Sequence, residues 1–221
     1  LKYKYKVGLN NYKPVMISNL YNDLNKPEND ALQYELYENA ITILKNKDSI
    51  LPIRNLTDSR IAYVKLGDDE NSSFVSTLKK YTNVTEVFAK DIDSLNVKLK
   101  QYNTVIVGFH KSDKAWKNQE FTALELENLQ KLAQNNNVIL DIFAKPYSLL
   151  PIKSFDDIKG VIVSYQNSSI AQNVSAEIIF GAVGAKGVLP VSINTNFKVN
   201  DGIFTNKLDR LGFAIPENVG M

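Results

Sequence analysis

The chain has 221 residues, 44% of them hydrophobic and 23% charged, with a formal net charge of +2 at pH 7. That suits one large domain with a buried core, with or without an arm, and leaves little room for two full domains. No cysteine is present, which excludes disulfides, thiolate zinc sites and cysteine nucleophiles; no apolar run reaches the ~18 residues of a membrane span, and no long block of like charge favours nucleic acid.

Residues 1–29 open with the Lys- and Tyr-rich LKYKYKVGLNNYK and contain Pro14 and Pro27 as breakers, so they predict an extended, solvated arm. The start lacks both Met and the apolar core of a signal peptide, and reads as cut from something longer. DALQYELYENAITILKN then predicts a helix over 30–46, capped by Asp30 with Gln33 three residues on and carrying Leu32, Leu36, Ala40 and Leu44 at a spacing of four. A strand follows over 60–67, then a helix near 72–81 with Phe74, Val75 and Leu78 on one face. TEVFA is a second strand, 92–101 a helix, and TVIVGF (104–109) a buried strand rich in β-branched residues. The next helix is well marked: Thr122 and Glu125 form a capping box, and Phe121 and Leu126 a hydrophobic staple. Strands over 137–143 and 160–166 come next, then a helix capped by Ser169 with Gln172 and ending at Gly181, and a last short strand over 187–193.

Apolar strands alternating with amphipathic helices predict an α/β fold, a three-layer αβα sandwich with a mostly parallel sheet. Ligands meet such sheets at the carboxyl ends of the strands. Four loops belong there: GDDENSS (67–73), the stretch after 109, FAKPYS (143–148) and SYQNSS (164–169).

His110 is the only histidine and Trp116 the only tryptophan. A Ser–His–acid triad would need His110, yet no serine sits in a Gly-x-Ser-x-Gly elbow. Asp68, Asp69 and Glu70 resemble the acidic pocket of a magnesium-dependent receiver domain, although such a trio is more often a solvated turn at a helix N-terminus. GAVGAKG (181–187) follows a helix instead of opening one, so no dinucleotide, and no other cofactor, is expected. Around His110 stand Lys111, Asp113, Lys114, Trp116, Lys117 and Glu120. An aromatic ring among hydrogen-bonding groups suits a sugar or another polar ligand; the alternative is that Trp116 anchors the loop to the core and the charges face water.

The segments ELYENAITILKNKDSILPI, VIVGFHKSDKAW, VILDIFAKPYSLL and VIVSYQNSSIAQNVSAEIIFGAVGAKGVLPVSI, in that order, resemble the second, αβα-sandwich domain of family 3 glycoside hydrolases. The last is the most specific, with a helix, Phe-Gly, a turn of small residues and Gly-x-Leu-Pro-Val. The resemblance covers about residues 30–195. It makes residues 1–29 the connection from a preceding barrel domain, and residues 196–221 an extension toward a further domain, serine-hydrolase-like in some relatives. It implies an accessory domain of a retaining enzyme that hydrolyses O-glycosyl bonds of a glycan, in a periplasmic or exported setting. No catalytic residue is expected in this chain, because the family's nucleophilic aspartate lies on the barrel. In the β-glucosidase branch the acid/base is a glutamate soon after the strand equivalent to 104–109; here GFHKSDK has none, and Glu120 sits beside the next helix cap. In the β-N-acetylglucosaminidase branch a His–Asp pair on a barrel loop does this work, so the missing glutamate favours that branch. His110, Asp113, Trp116 and Glu120 are the candidates for lining the cleft against the barrel. The rival expectation is a docking module that touches no sugar.

Overall fold

The computed structural model describes residues 1–213 and 215–219. The N-terminal segment differs from the extended arm expected of it. Two five-residue helices, α1 (Lys2–Lys6) and α2 (Leu20–Leu24), form there through local bonds such as Val7 N–H to Tyr3 C=O and Asn25 N–H to Tyr21 C=O. Every residue from 1 to 30 is exposed, so nothing long-range favoured an extended form.

The next helix, α3, spans Pro27–Ala40, starting earlier and stopping sooner than its leucine spacing predicts. Pro27 occupies the first helical turn, where its missing N–H costs nothing, and Asp30 lies inside that turn instead of capping it. Leu32 and Leu36 are 54% and 58% exposed, while Tyr34 is buried, so the fourfold leucine repeat marked the wrong face. Beyond Ala40 the β-branched run Ile41-Thr42-Ile43 leaves the helix and forms strand β1 (Thr42–Asn46).

Seven-residue β2 (Ile61–Gly67) leads into α4 (Ser72–Tyr81), short β3 (Val84–Glu86) and α5 (Ile92–Leu99). β3 pairs through Val84, not through Phe88, which is 64% exposed; the strand therefore sits a residue or more earlier than TEVFA suggested. β4 (Thr104–His110), α6 (Ala123–Asn135), β5 (Val138–Phe143), β6 (Ile158–Val163) and α7 (Ser169–Phe180) complete the set. Ser168, one residue before the expected cap, accepts the Ala171 N–H at the start of α7, and Gly181 at φ 74° ends it. The expected strand over 187–193 is instead a loop stitched by Leu189 N–H to Asp201 C=O and Asn200 N–H to Leu189 C=O; Pro190 has no N–H to continue a ladder.

The sheet order is β1–β6–β5–β4–β2–β3, with β1 antiparallel to β6 and every other pairing parallel. This is the expected α/β sandwich. Val64, Val107 and Leu140 share one core with Leu99 of α5 and with Leu129 and Leu132 of α6. Ile61, Ile106, Ile139 and Ile162 share the other with Tyr34, Phe74, Leu78 and Ile178 from α3, α4 and α7. Alternate residues of each strand thus serve opposite layers. The helix after β2 covers one face and the helix after β4 the other, so the gap between the ends of β2 and β4 is a topological switch point.

Residues beyond α7 turn back over the sandwich. Leu208 N–H bonds Gly181 C=O, Tyr81 Oη donates to Leu211 C=O, and the Arg210 guanidinium donates to the carbonyls of Ile53, Arg54 and Phe180. Ile203 N–H bonds Ile43 C=O on the outer edge of β1. Of the extension expected over 196–221, residues 214, 220 and 221 lie outside the described residues.

Candidate functional site

The switch point is built on a close backbone contact. Gly67 ends β2 at φ +86°, where a Cβ would stand 2.0 Å from the His110 carbonyl oxygen. That carbonyl accepts the N–H groups of Asp68 and Asp69, which turns the β2–α4 loop back over the end of β4. Only glycine fits this turn.

His110, the last residue of β4, is fully buried. Its ring stacks on Phe143 at 4.4 Å between centroids, with Phe74 5.8 Å away. Nε2 is 2.8 Å from Tyr63 Oη, and Nδ1 is 2.7 Å from Asn167 Oδ1. The Asn167 oxygen also accepts from Gln172 Nε2 at 2.9 Å, so Nδ1 carries the imidazole proton and Nε2 accepts from tyrosine. Burial pulls the His110 pKa down to about 4, opposed by the Asn167 bond. At neutral pH the ring is uncharged.

Asn167, in the loop between β6 and α7, ties the surrounding segments together. Its Nδ2 donates to Asp69 Oδ2 at 3.1 Å and to Glu70 C=O at 2.8 Å, and its main-chain N–H donates to Asp113 Oδ2 at 2.7 Å. Glu125 makes a second junction. Its Oε2 accepts the Thr122 N–H in the expected capping box, while Oε1 accepts the Gly67 N–H and stands 3.4 Å from buried Lys111 Nζ. Lys111 also lies 3.7 Å from Asp68.

Residues 111–120 project from this base. The far end is pinned by Gln119, whose amide donates to Ser112 C=O and accepts from Lys145 N–H, and whose carbonyl accepts from Ser148. Between the loop and the β2–α4 turn lies a polar cleft of about 440 Å³ lined by Asp68, Asp69, Ser112, Lys114, Lys117 and Asn118. A smaller cavity of about 170 Å³ lies away from the strand ends, between α6 and the start of β6.

The four candidate residues separate into two groups. His110 is enclosed beneath the loop and presents no surface. Asp113, Trp116 and Glu120 lie outside, with Trp116 completely exposed on a left-handed backbone at φ 67°; it does not anchor the loop to the core. Asp113 is exposed as a residue, but its carboxyl is partly desolvated where it turns toward Asn167; this raises it above the usual range, and nearby Asp69 adds to this, against the Asn167 N–H and Gln119 bonds. Asp69 accepts from Asn167, and among the described residues no three His, Cys, Asp or Glu side chains converge as a metal site requires. The sequence marks Gln172 and Glu125 only as capping residues, and it does not single out Tyr63 or Asn167. Their one sequence signal was position, since Asn167 lies in a loop already assigned to the carboxyl ends of the strands.

No family model matches the sequence, and no curated protein does. Solved structures do match. A beta-glucoside phosphorylase BglX superposes with a TM-score of 0.64 at 18% identity over 86% of this chain and 36% of its own. A glycoside hydrolase family 3 beta-N-acetylglucosaminidase from Paenibacillus sp. str. FPU-7 does so at 0.61 and 16%, over 86% of this chain and 37% of its own. A fungal multi-domain GH3 beta-N-acetylglucosaminidase matches at 0.61 and 22%, over 78% of this chain and 20% of its own. The chain has the fold of one part of family 3 glycoside hydrolases. It spans well under two thirds of the length of these family 3 proteins, and the loops just described stand at the switch point of that shared fold. Among the described residues, no helix is long and apolar enough to cross a membrane.

Proposed function

We propose that the chain is the accessory second domain of a retaining family 3 glycosidase, with a β-N-acetylglucosaminide as the favoured substrate, and that its 111–120 loop forms one wall of a cleft closed by an upstream barrel. The observation that carries this reading is the loop's construction. It rises from the switch point on a buried polar base and holds a fully exposed indole beside a polar cleft. Aromatic faces next to hydrogen-bonding groups suit sugar rings, which offer C–H patches and hydroxyls together. A retaining mechanism needs two groups about 5 Å apart across the scissile bond. The loop offers His110 only as a buried, neutral ring, and its one glutamate, Glu120, stands apart at the approach to α6. A wall of this kind excludes water and binds remote sugar units, and such binding energy lowers the barrier at the reacting centre.

The test joins the chain to its native upstream barrel and assays aryl β-N-acetylglucosaminide and aryl β-glucoside. The joined protein is expected to hydrolyse the first, with the isolated chain inactive and the isolated barrel weakened. Full activity of the barrel alone would reduce the chain to a docking module, and activity of the chain alone would overturn the reading.

A further inference from the structure

The exposed tip of the 111–120 loop has little packing of its own. Its internal bonds are short-range, Lys117 N–H to Lys114 C=O and Lys114 N–H to Ser112 Oγ. Gln119 pins its far end to Lys145 and Ser148; nearer the indole, what ties it sideways to another segment is Asp113, which accepts the main-chain N–H of Asn167 and lies 3.5 Å from Gln119 Nε2. That N–H is aimed by a side chain whose hydrogen-bonding capacity is filled from several directions: Oδ1 by His110 and Gln172, Nδ2 by Asp69 and the Glu70 carbonyl. α7 does not need Asn167 as a cap, because Ser168 performs that role. Two residues before Asn167, Tyr165 takes φ +64°, a conformation that costs a non-glycine residue about 1 kcal/mol or more. The surroundings therefore hold this turn in place against a local preference.

We propose that Asn167 is the positioning residue of the Trp116 loop. With its side chain locked on β4 and on the β2–α4 turn, its main-chain N–H holds Asp113 and so fixes where the indole stands. The inference rests on the reading of that loop as a wall of the cleft. His110 contributes as a fixed donor, held in one tautomer by Tyr63. The chain segments that meet here come from three separate loops, so one substitution at Asn167 releases all three at once.

Trp116 is the only tryptophan, so its fluorescence reports this loop alone. In the 221-residue chain, Asn167→Ala and Asp113→Ala should each lower Trp116 anisotropy while far-UV circular dichroism and cooperative melting persist. The double variant should be no looser than the singles, because Asn167→Ala frees the donor and Asp113→Ala removes the acceptor of one link. Unchanged anisotropy in folded Asn167→Ala would overturn the inference. If that variant does not fold, Asp113→Ala breaks the same link from the loop side, and unchanged anisotropy there would overturn it equally. In the chain joined to its barrel, Asn167→Ala should raise KM for the aryl glycoside about 5- to 10-fold with kcat little changed, the pattern of lost uniform binding. A loosened loop with unaltered kinetics would support Asn167 as the positioning residue and remove the wall reading instead.

Discussion

At the scale of single residues, burial moves the pKa values of two groups on neighbouring strands in opposite directions. His110 is held neutral, with its pKa pulled down to about 4. Asp141, in the middle of β5, is fully buried and accepts hydrogen bonds from Ser164 and Ser175, yet burial still raises its pKa to about 7. Between these limits the unfolded chain binds the histidine proton that the folded chain refuses, so this contribution is present above about pH 6.5 and is lost as pH falls toward 4. The aspartate does the reverse. Folded Asp141 keeps a proton that the unfolded chain releases, so its contribution is present at acid pH and is lost as pH rises through about 7. In the intact chain the two slopes oppose each other. Urea unfolding of Asp141→Asn at pH 4.5 and pH 7 should show stability relative to the parent rising with pH, and His110→Gln should show it falling, each by about 2–4 kcal/mol over the window. Parallel pH curves for parent and variants would refute the assignment. The lone histidine was visible in the sequence because it was alone. Asp141 was not, since VILDIF reads as an apolar strand and nothing in it shows that two serines, one just past β6 and one on α7, converge on the carboxylate.

At the scale of elements, a local signal was reliable where its own hydrogen bonds form in the fold. α6 has both halves of its capping box and a buried Phe121 before it, and it begins where they indicate. α3 carried a cap pattern at Asp30 and Gln33 and a leucine spacing, and packing overrode both: Asp30 falls inside the first turn, and the antiparallel partner β6 drew Ile43 out of a helical register into the sheet. The same contrast separates two substitutions at the start of α6. Thr122→Ala removes a cap and should cost about 1 kcal/mol. Glu125→Ala also removes the carboxylate facing Lys111, a side chain only 6% exposed, and strips the partner from the Gly67 N–H. Breaking a largely buried pair typically costs about 3 kcal/mol or more, so chemical denaturation should place Glu125→Ala well below Thr122→Ala. Equal losses would show that Glu125 acts only as a cap.

At the scale of the whole molecule, the C-terminal segment is part of the structure that stabilises the sandwich, although the family resemblance implied for it only an extension toward a further domain. Arg210 closes the end of α7 and the 53–54 segment with charge-assisted bonds to three carbonyls, while the Glu177 carboxylate accepts the Phe213 N–H. Arg210→Ala should therefore lower unfolding free energy by about 2 kcal/mol, read from thermal and urea transitions, and no change would mean that water replaces those bonds without loss. Sequence pattern exposed the parallel strands and the loops at their carboxyl ends because both are local. It could not expose a strap, an edge strand or an asparagine hub, each defined by residues far apart along the chain. The edge strand carries a consequence for biosynthesis. Thr42 of β1 has Val163 of β6 as its partner, and the outer side of β1 meets Ile203. On the ribosome the apolar segment Ile41–Leu44 thus emerges long before anything can cover either of its edges. In order of synthesis the sheet can extend only from the β2–β3 edge across β4, β5 and β6, taking in its first strand last, and until then that apolar segment is open to off-pathway pairing.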